Sequence, residues 1–143
     1  MSFLKAGTYY LGDPCYAIAN KQWDTFTDKT IGERKMGVTF EITINGKTGQ
    51  CWADYTAYGD GGYGGSDGVI YGVDSGSIGL VPVQLMENPE DFEDGSKVEA
   101  PYGLIACSID GCFCIDILGE NGIAASRIEI ETGDGQNFED SEW

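Results

Sequence analysis

Short stretches of alternating hydrophobic and polar residues occur along most of this chain, which is the pattern of half-buried β-strands. Between residues 38 and 44 the alternation places Phe40, Ile42 and Ile44 on one face of a strand. Asn45-Gly46 follows directly, and this pair is typical of a two-residue hairpin turn in which both positions take positive φ. The pattern therefore predicts a hairpin whose return strand covers residues 49–58.

A second hairpin is predicted over residues 104–109 and 112–118. Its turn is Asp110-Gly111, and a two-residue turn places Cys107 directly opposite Cys114. Both faces of this hairpin are apolar, which is typical of strands that are buried on both sides of a sheet. We therefore expect the hairpin to be central and covered on both faces. One face carries Phe113, Ile115 and Ile117, and the other carries Ile105, Ile109 and Cys112.

Four further strands are predicted, each next to residues that favour turns. They cover residues 7–11, 69–73, 78–83 and 123–131. Turn-forming residues recur every eight to twelve positions between the short strands, which is typical of sandwiches and barrels. We therefore expect a mostly β fold, either an antiparallel β-sandwich or a partly open barrel, that forms a single domain over residues 1–143.

One or two short helices complete the expected fold. Asn20 is a favourable helix cap, and a helix over residues 20–31 places Trp23 and Phe26 on one face. The acidic segment 87–95 is predicted to form a turn or a second short helix. Helices are thus a minor part of the predicted fold.

Charge is distributed unevenly along the chain. The sequence contains 24 acidic and eight basic residues, a net charge of −16. Residues 87–143 contain 15 acids and two bases, a net charge of −13, whereas residues 1–86 contain nine acids and six bases, a net charge of −3. This charge opposes direct binding to nucleic acid or to an anionic membrane, so we expect neither. It favours a basic partner, a metal cation or mimicry of a polyanion, unless it serves solubility alone.

Two acidic runs in the second part of the chain also contain aromatic residues. We predict that they bind a protein with a basic surface, since opposite charges steer association and aromatic side chains anchor interfaces. The alternative is a solvated face without a partner. The first run contributes Glu87, Glu90, Asp91, Phe92, Glu93 and Asp94, and the second contributes Glu129, Glu131, Phe138, Asp140 and Trp143, the last three in an acidic tail of about residues 133–143.

A glycine-rich segment, residues 58–79, indicates a second kind of site. Nine of its 22 residues are glycine, which implies turns with positive φ or a close approach of the backbone to another group. Aspartates in these loops can supply oxygen ligands to Ca²⁺ or Mg²⁺. The alternative is that each aspartate closes its own turn. The candidate ligand-binding residues are Asp13, Tyr58, Asp60, Tyr63, Asp67 and Asp74.

Composition excludes several classes of catalytic and metal chemistry. The absence of histidine excludes Ser-His and Cys-His nucleophile pairs and histidine metal ligands. The five cysteines are an odd number and lack the paired spacing of a zinc site, so free thiols are expected. Residues 59–64 fit the G-x-G-x-x-G pattern, but the predicted strand after them does not suit dinucleotide binding. The sequence therefore gives no catalytic residue and favours binding over catalysis.

Three motifs resemble those of small uncharacterised proteins of tailed phages and bacteria. They are Gly12-Asp13-Pro14-Cys15-Tyr16, Gly59-Asp60-Gly61 with Tyr63, and Val73-Asp74-Ser75-Gly76 followed by Ile78-Gly79 and Val81-Pro82. The last two are similar to elements of the bacterial domain of unknown function 4241, in which they occur in a different order. The resemblance covers residues 7–83, and the acidic remainder has no counterpart in it. It implies a phage origin and an accessory role, and it assigns no catalytic residue.

Together these features predict a phage accessory protein. No signal peptide and no run of about 18 apolar residues is visible, so we expect it in the cytoplasm of the infected host cell. It is predicted to bind a host defence or nucleic-acid-handling protein and to inhibit or modulate it through the acidic runs. The alternative is a domain that binds a small ligand or a divalent cation at the glycine-rich loops, with or without weak enzymatic activity.

Overall fold

The computed structural model describes residues 1–133, which form mainly antiparallel β-strands. The strands in this part of the chain are β1 (Ser2–Leu4), β2 (Gly7–Gly12), β3 (Phe40–Ile44), β4 (Lys47–Tyr55), β5 (Gly61–Gly64), β6 (Ile70–Val73), β7 (Ser77–Pro82), β8 (Ser96–Ala100), β9 (Leu104–Ile109), β10 (Cys112–Leu118) and β11 (Ala124–Glu131). A short α-helix, α1 (Trp23–Thr27), follows a 3₁₀ turn at Asn20–Gln22 and continues into a wider π-type turn at Asp28–Gly32.

The strands pair into two larger sheets and one small hairpin. The four-stranded sheet has the order β1-β9-β10-β11, the five-stranded sheet has the order β3-β4-β7-β2-β8, and β5 pairs with β6. Neighbouring strands are antiparallel in all three. The mostly β fold with short helical segments is confirmed, and within residues 1–133 the sheets do not close into a barrel.

The five-stranded sheet is the central layer because apolar side chains cover both of its faces. Successive residues of a strand point to opposite sides, so Tyr9 packs in the cluster shared with the four-stranded sheet and Tyr10 packs in the cluster beneath the helical segment. The first cluster includes Trp52 against Phe113, and the second includes Phe26. Strand β7 is buried along its whole length, as expected for a strand with both faces covered.

Both predicted hairpin turns are confirmed. Asn45 and Gly46 have φ values of 52° and 79°, the positive pair that this turn requires. In the second hairpin Cys107 lies opposite Cys114, and β9 and β10 are the two central strands of their sheet. Each turn depends only on its own residues, which explains why both were predictable.

The expectation that the second hairpin is covered on both faces is wrong. Phe113 and Ile115 are fully buried, but the outer face is half-exposed, and Ile109 is 66% exposed. That face also carries Asp116 in an exposed ion pair with Arg127. The sheet with two covered faces is instead the five-stranded one.

The helical predictions need two corrections. Asn20 does not cap a helix: it begins the 3₁₀ turn, and the cap position, Ala19, makes no side-chain hydrogen bond. The predicted single helix is broken into three short turns, although Trp23 stacks on buried Phe26 with ring centroids 5.3 Å apart. Segment 87–95 forms turns and contains no helix. No helix in the described part of the chain has the length and hydrophobicity needed to cross a membrane.

Candidate functional site

Two of the three sequence motifs, residues 12–16 and residues 73–76, meet at Asp13, whose side chain is completely buried. Its Oδ2 atom accepts hydrogen bonds from the backbone N–H groups of Asp74 at 2.6 Å and Ser75 at 2.7 Å. Its Oδ1 atom accepts from the Ser75 hydroxyl at 2.6 Å and from the Cys15 N–H at 2.9 Å. Four donors therefore satisfy this carboxylate without a cation, and they join two segments that are about 60 residues apart in sequence.

Strand pairing brings these two segments together. Gly12, at the end of β2, lies opposite Gly79 in β7, so the residues that follow β2 lie beside the residues that precede β7. Asp13 then caps the 3₁₀ turn at Pro14–Tyr16, with Pro14 at its favoured first position. Gly79 allows β7 to approach β4 closely, because an added Cβ would lie 2.4 Å from the Trp52 carbonyl oxygen. The glycine, aspartate and proline residues of these motifs therefore each have a structural role in this chain.

Two other polar side chains beside this buried carboxylate, those of Tyr16 and Cys15, are held in their neutral forms. The Tyr16 hydroxyl donates a hydrogen bond to Asp74, which raises the pKa of that tyrosine. Burial, followed by the negative charge of Asp13, raises the pKa of the Cys15 thiol, and Asp60 adds to the effect. A thiol held in its neutral form is a poor nucleophile. The hydrogen bonds of Asp13 thus hold the two segments together.

The aspartate in the middle of the glycine-rich segment closes its own turn, as the alternative interpretation predicts. Asp67 accepts hydrogen bonds from the Val69 N–H at 3.2 Å and from the Tyr71 hydroxyl at 2.5 Å. Tyr63 is 1% exposed and donates from its hydroxyl to the Gly59 carbonyl oxygen at 3.0 Å. Tyr58, by contrast, is 58% exposed.

The candidate ligand-binding residues are therefore not assembled into one site. Asp13, Asp60 and Asp74 lie near Cys15, but Asp13 is saturated with protein donors. Asp67 is engaged in its own turn, and Tyr63 is in the core. Among residues 1–133, no group of three or more acidic or cysteine side chains is placed to hold a metal ion. The small-ligand and Ca²⁺ or Mg²⁺ alternative therefore stays a sequence-based prediction without a converging set of ligands.

The first acidic run forms an exposed loop on a rigid base; we call residues 87–95 the acidic loop. Its base is fixed by Phe92, which stacks on Tyr10 with ring centroids 6.2 Å apart. The Tyr10 hydroxyl also donates to the Glu93 carbonyl oxygen at 2.7 Å, and the Glu87 N–H donates to the Ala17 carbonyl oxygen at 3.0 Å. The five acidic residues are all exposed: Glu87, Glu90, Asp91, Glu93 and Asp94.

The β5-β6 hairpin connects the acidic loop to the second acidic run. On one side, the Gly72 N–H of β6 donates to the Asp94 carbonyl oxygen at 3.3 Å. On the other side, the Ser66 N–H donates to the Glu129 carbonyl oxygen of β11 at 2.8 Å, and Gly65 bridges to Ile130. Backbone hydrogen bonds to the hairpin therefore link the two runs, whose nearest members, Asp94 and Glu129, are 35 residues apart in sequence. The exposed acids of these linked segments are those of the acidic loop, Asp67 of the hairpin, and Glu129 and Glu131 of β11.

Basic side chains compensate the second run more than the first. Arg127 binds Asp116 through two nitrogens, at 2.6 and 3.1 Å, and reaches Glu129 at 3.4 Å. Hydrogen bonding to Asp116 raises the pKa of this arginine, so it stays charged. No ion pair within residues 1–133 involves an acid of the acidic loop. That loop is consequently the more negative of the two.

The structure leaves part of the predicted partner-binding set unaddressed and adds residues that the sequence did not indicate. Phe138, Asp140 and Trp143 lie outside the described residues. Phe92 is half-buried and stacks on Tyr10, so it supports the acidic loop from below. Tyr10 and Ser75 were not predicted as site residues, because each contacts a partner that is far away in sequence.

No protein-family model, no curated protein and no solved structure matches this chain.

Proposed function

We propose that this chain is a binding protein that uses its acidic loop to engage a protein with a basic surface. The observation that carries the proposal is the acidic loop, in which five exposed carboxylates are mounted on a base fixed by packing and backbone hydrogen bonds. A loop held in one conformation loses little conformational entropy on binding. Its unpaired negative charges attract and orient a basic partner from a distance.

The biological role that we propose follows from the resemblance to tailed-phage and bacterial proteins. The chain is a phage accessory protein, and its partner is a host defence or nucleic-acid-handling protein. Proteins of that second class carry basic surfaces for phosphate groups. Occupation of such a surface by carboxylates would block it, so the mechanism is inhibition or modulation by occlusion in the host cytoplasm.

A pair of charge-matched variants tests this proposal. The loop variant carries Glu87→Gln, Glu90→Gln and Glu93→Gln, none of whose side chains accepts a hydrogen bond within residues 1–133. The control variant carries Asp24→Asn, Asp28→Asn and Glu41→Gln, three exposed acids on the helical side of the molecule. Both variants change the net charge by the same three units, so only the position of the change differs.

Each tagged protein is used to capture proteins from a bacterial host lysate at about 0.1 M and about 1 M salt, where the Debye length is about 10 Å and 3 Å. The proposal predicts a stoichiometric partner that is retained by the parent and the control variant at low salt. It further predicts loss of that partner with the loop variant and at high salt. Equal loss with both variants would mean nonspecific attraction, and binding that is indifferent to salt and to the loop would contradict the proposal.

A further inference from the structure

The outer face of the four-stranded sheet carries three cysteine side chains. Cys112 and Cys114 alternate with buried Phe113 along β10, so both lie on the face opposite the core. Cys107 of β9 is paired directly with Cys114, and residues that pair directly across two strands share a face. All three are partly exposed free thiols. The face therefore holds three thiols on two neighbouring strands.

One of these thiols is held in its neutral form. Burial, followed by the negative charge of Glu131 and the neighbouring Cys114, raises the pKa of the Cys112 thiol to about 12. The Cys112 side chain also hydrogen-bonds with those of Glu131 and Cys114. Because the thiolate is the form that attacks a disulfide, Cys112 is a poor nucleophile at neutral pH. Thiol exchange on this face therefore depends on Cys107 and Cys114.

The turn of the hairpin determines how closely these two residues approach. Both turn residues, 110–111, have positive φ, 50° and 82°, so this is a two-residue turn, and Ile109 and Cys112 on either side of it form a hydrogen-bonded pair. Hydrogen-bonded and non-hydrogen-bonded pairs alternate along an antiparallel ladder. Cys107 and Cys114, two positions further, are again a hydrogen-bonded pair, for which the Cα atoms are about 5.5 Å apart.

This spacing suits a disulfide, although not a relaxed one. The Cα atoms of a disulfide are usually about 4.4–6.8 Å apart, and most often about 5.5–6 Å. The Cβ atoms of directly opposite residues are about 4.5–5.5 Å apart, whereas those of a disulfide are about 3.8 Å apart. Closing the bond between Cys107 and Cys114 therefore draws the two strands together. Strained and exposed disulfides are the ones that are readily reduced, so this bond is expected to be reversible.

The register selects this pair over the other two pairs of thiols. Cys107 and Cys112 are diagonal neighbours, about 7–8 Å apart, which is beyond the usual range of a disulfide. Cys112 and Cys114 are two residues apart on one strand, a rise of about 6.8 Å, which is the upper end of that range.

We propose that Cys107 and Cys114 form a reversible oxidation site, at which a low-molecular-weight disulfide converts the two thiols into a disulfide between β9 and β10. In a reducing compartment the two thiols are the resting form. The disulfide forms when the small oxidised thiol accumulates. The site shares no residue with the acidic loop, so this proposal is independent of the proposed function.

The reaction proceeds by two exchange steps. The thiolate of one cysteine attacks a sulfur of the small disulfide, whose S–S bond breaks, and the released thiolate takes up the proton that the cysteine gave up. The thiolate of the second cysteine then attacks the first cysteine's sulfur in this mixed disulfide and releases the second small thiol in the same way. Overall, two cysteines are oxidised by two electrons and one small disulfide is reduced to two thiols.

Equilibration of the full chain with glutathione disulfide and reduced glutathione tests the proposal. After an acid quench, the free thiols are blocked with N-ethylmaleimide in denaturant, and mass spectrometry counts the blocked thiols and identifies the linked peptides. Of the five cysteines, we expect Cys107 to be linked to Cys114 and the others to be blocked. With reduced glutathione at about 1 mM and an effective concentration of about 10 mM for the paired thiol, in the millimolar range of tethered groups, the internal disulfide should exceed the mixed disulfide about tenfold. Dithiothreitol should restore all five thiols.

Three serine variants at these partly exposed positions complete the experiment. Cys107→Ser and Cys114→Ser each remove one partner of the disulfide, and Cys112→Ser, which removes the neighbouring thiol, is the matched control. Tryptophan fluorescence verifies that each variant is folded. We expect the control to form the internal disulfide in the same yield as the parent. In the other two variants the internal disulfide should be lost, and a mixed disulfide with glutathione should take its place.

Three results would overturn the proposal. The first is a parent chain that forms mixed disulfides with glutathione and no internal one. The second is an internal disulfide that persists in Cys107→Ser, which would assign the bond to Cys112 and Cys114. The third is a disulfide that joins two chains, which non-reducing electrophoresis would show as a dimer.

Discussion

Replacement of Asp13 by asparagine is the most informative single substitution for the fold. The asparagine side chain has the same shape, so no cavity forms and only the hydrogen bonding changes. In the parent protein both carboxylate oxygens accept from two donors each. In Asp13→Asn one acceptor oxygen becomes an amide N–H₂ group, which faces two donors in a buried site.

The expected cost follows from the number of bonds lost. Two of the four hydrogen bonds cannot form, and a hydrogen bond to a charged group contributes about 1.5–3 kcal/mol. Because a neutral amide is less costly to bury than a carboxylate, part of this loss is offset. We expect the free energy of unfolding to fall by about 3 kcal/mol, which is a large share of the roughly 5–15 kcal/mol of a typical domain.

Urea unfolding monitored by tryptophan fluorescence measures this change. Asp60→Asn is the matched control, because Asp60 is exposed and substitutions at such positions stay within about 0.5 kcal/mol of the parent. The reasoning would be refuted if Asp13→Asn unfolded at the same urea concentration as the control. That outcome would mean that the buried carboxylate does not hold the two motifs together.

Three further predictions concern packing and titration. Gly79→Ala should destabilise the protein by about 1–3 kcal/mol through overpacking against a backbone carbonyl, whereas Gly32→Ala, with no atom closer than 4.0 Å, should stay within about 0.5 kcal/mol in the same urea assay. Phe113→Ala should lower the free energy of unfolding by about 3–5 kcal/mol, since this ring is fully buried; a cost below about 1 kcal/mol would place it outside the core. Burial raises the pKa of Tyr9 from 10.0 to about 12, so the stability from its neutral form is complete below pH 10 and is lost as the pH rises to 12. Between pH 10 and pH 11, Tyr9→Phe should therefore lose about 1 kcal/mol less stability than the parent in urea titrations, and identical pH dependence would contradict this assignment.

The parts of the fold that could be predicted are those in which the signal is local. The Asn45-Gly46 turn and the alternation of Phe40, Ile42 and Ile44 determine a hairpin from neighbouring residues alone, and both are confirmed. The same holds for the register that places Cys107 opposite Cys114. The mostly β fold follows from such local signals added along the chain.

The parts that could not be predicted depend on contacts between distant segments. Strands β1, β5 and β8 are short, and each is defined by its pairing partner rather than by its own pattern. The exposed outer face of the second hairpin shows the same limit, because apolar composition does not reveal which sheet other layers cover. At the candidate site, Asp13 and Ser75 are 62 residues apart in sequence, so no pattern of neighbouring residues predicts the hydrogen bond between them. The acidic residues were visible in the sequence, but their arrangement across the β5-β6 hairpin was not.

The most direct test of the central claim, that the acidic loop engages a basic partner, is the association rate constant with the captured partner. It is measured by stopped flow at increasing ionic strength for the parent, the loop variant and the control variant. We expect the rate constant of the parent to fall steeply with salt and that of the loop variant to be about tenfold lower at low salt, as electrostatic steering implies, with the control close to the parent. Equal rate constants for the loop and control variants would contradict the claim.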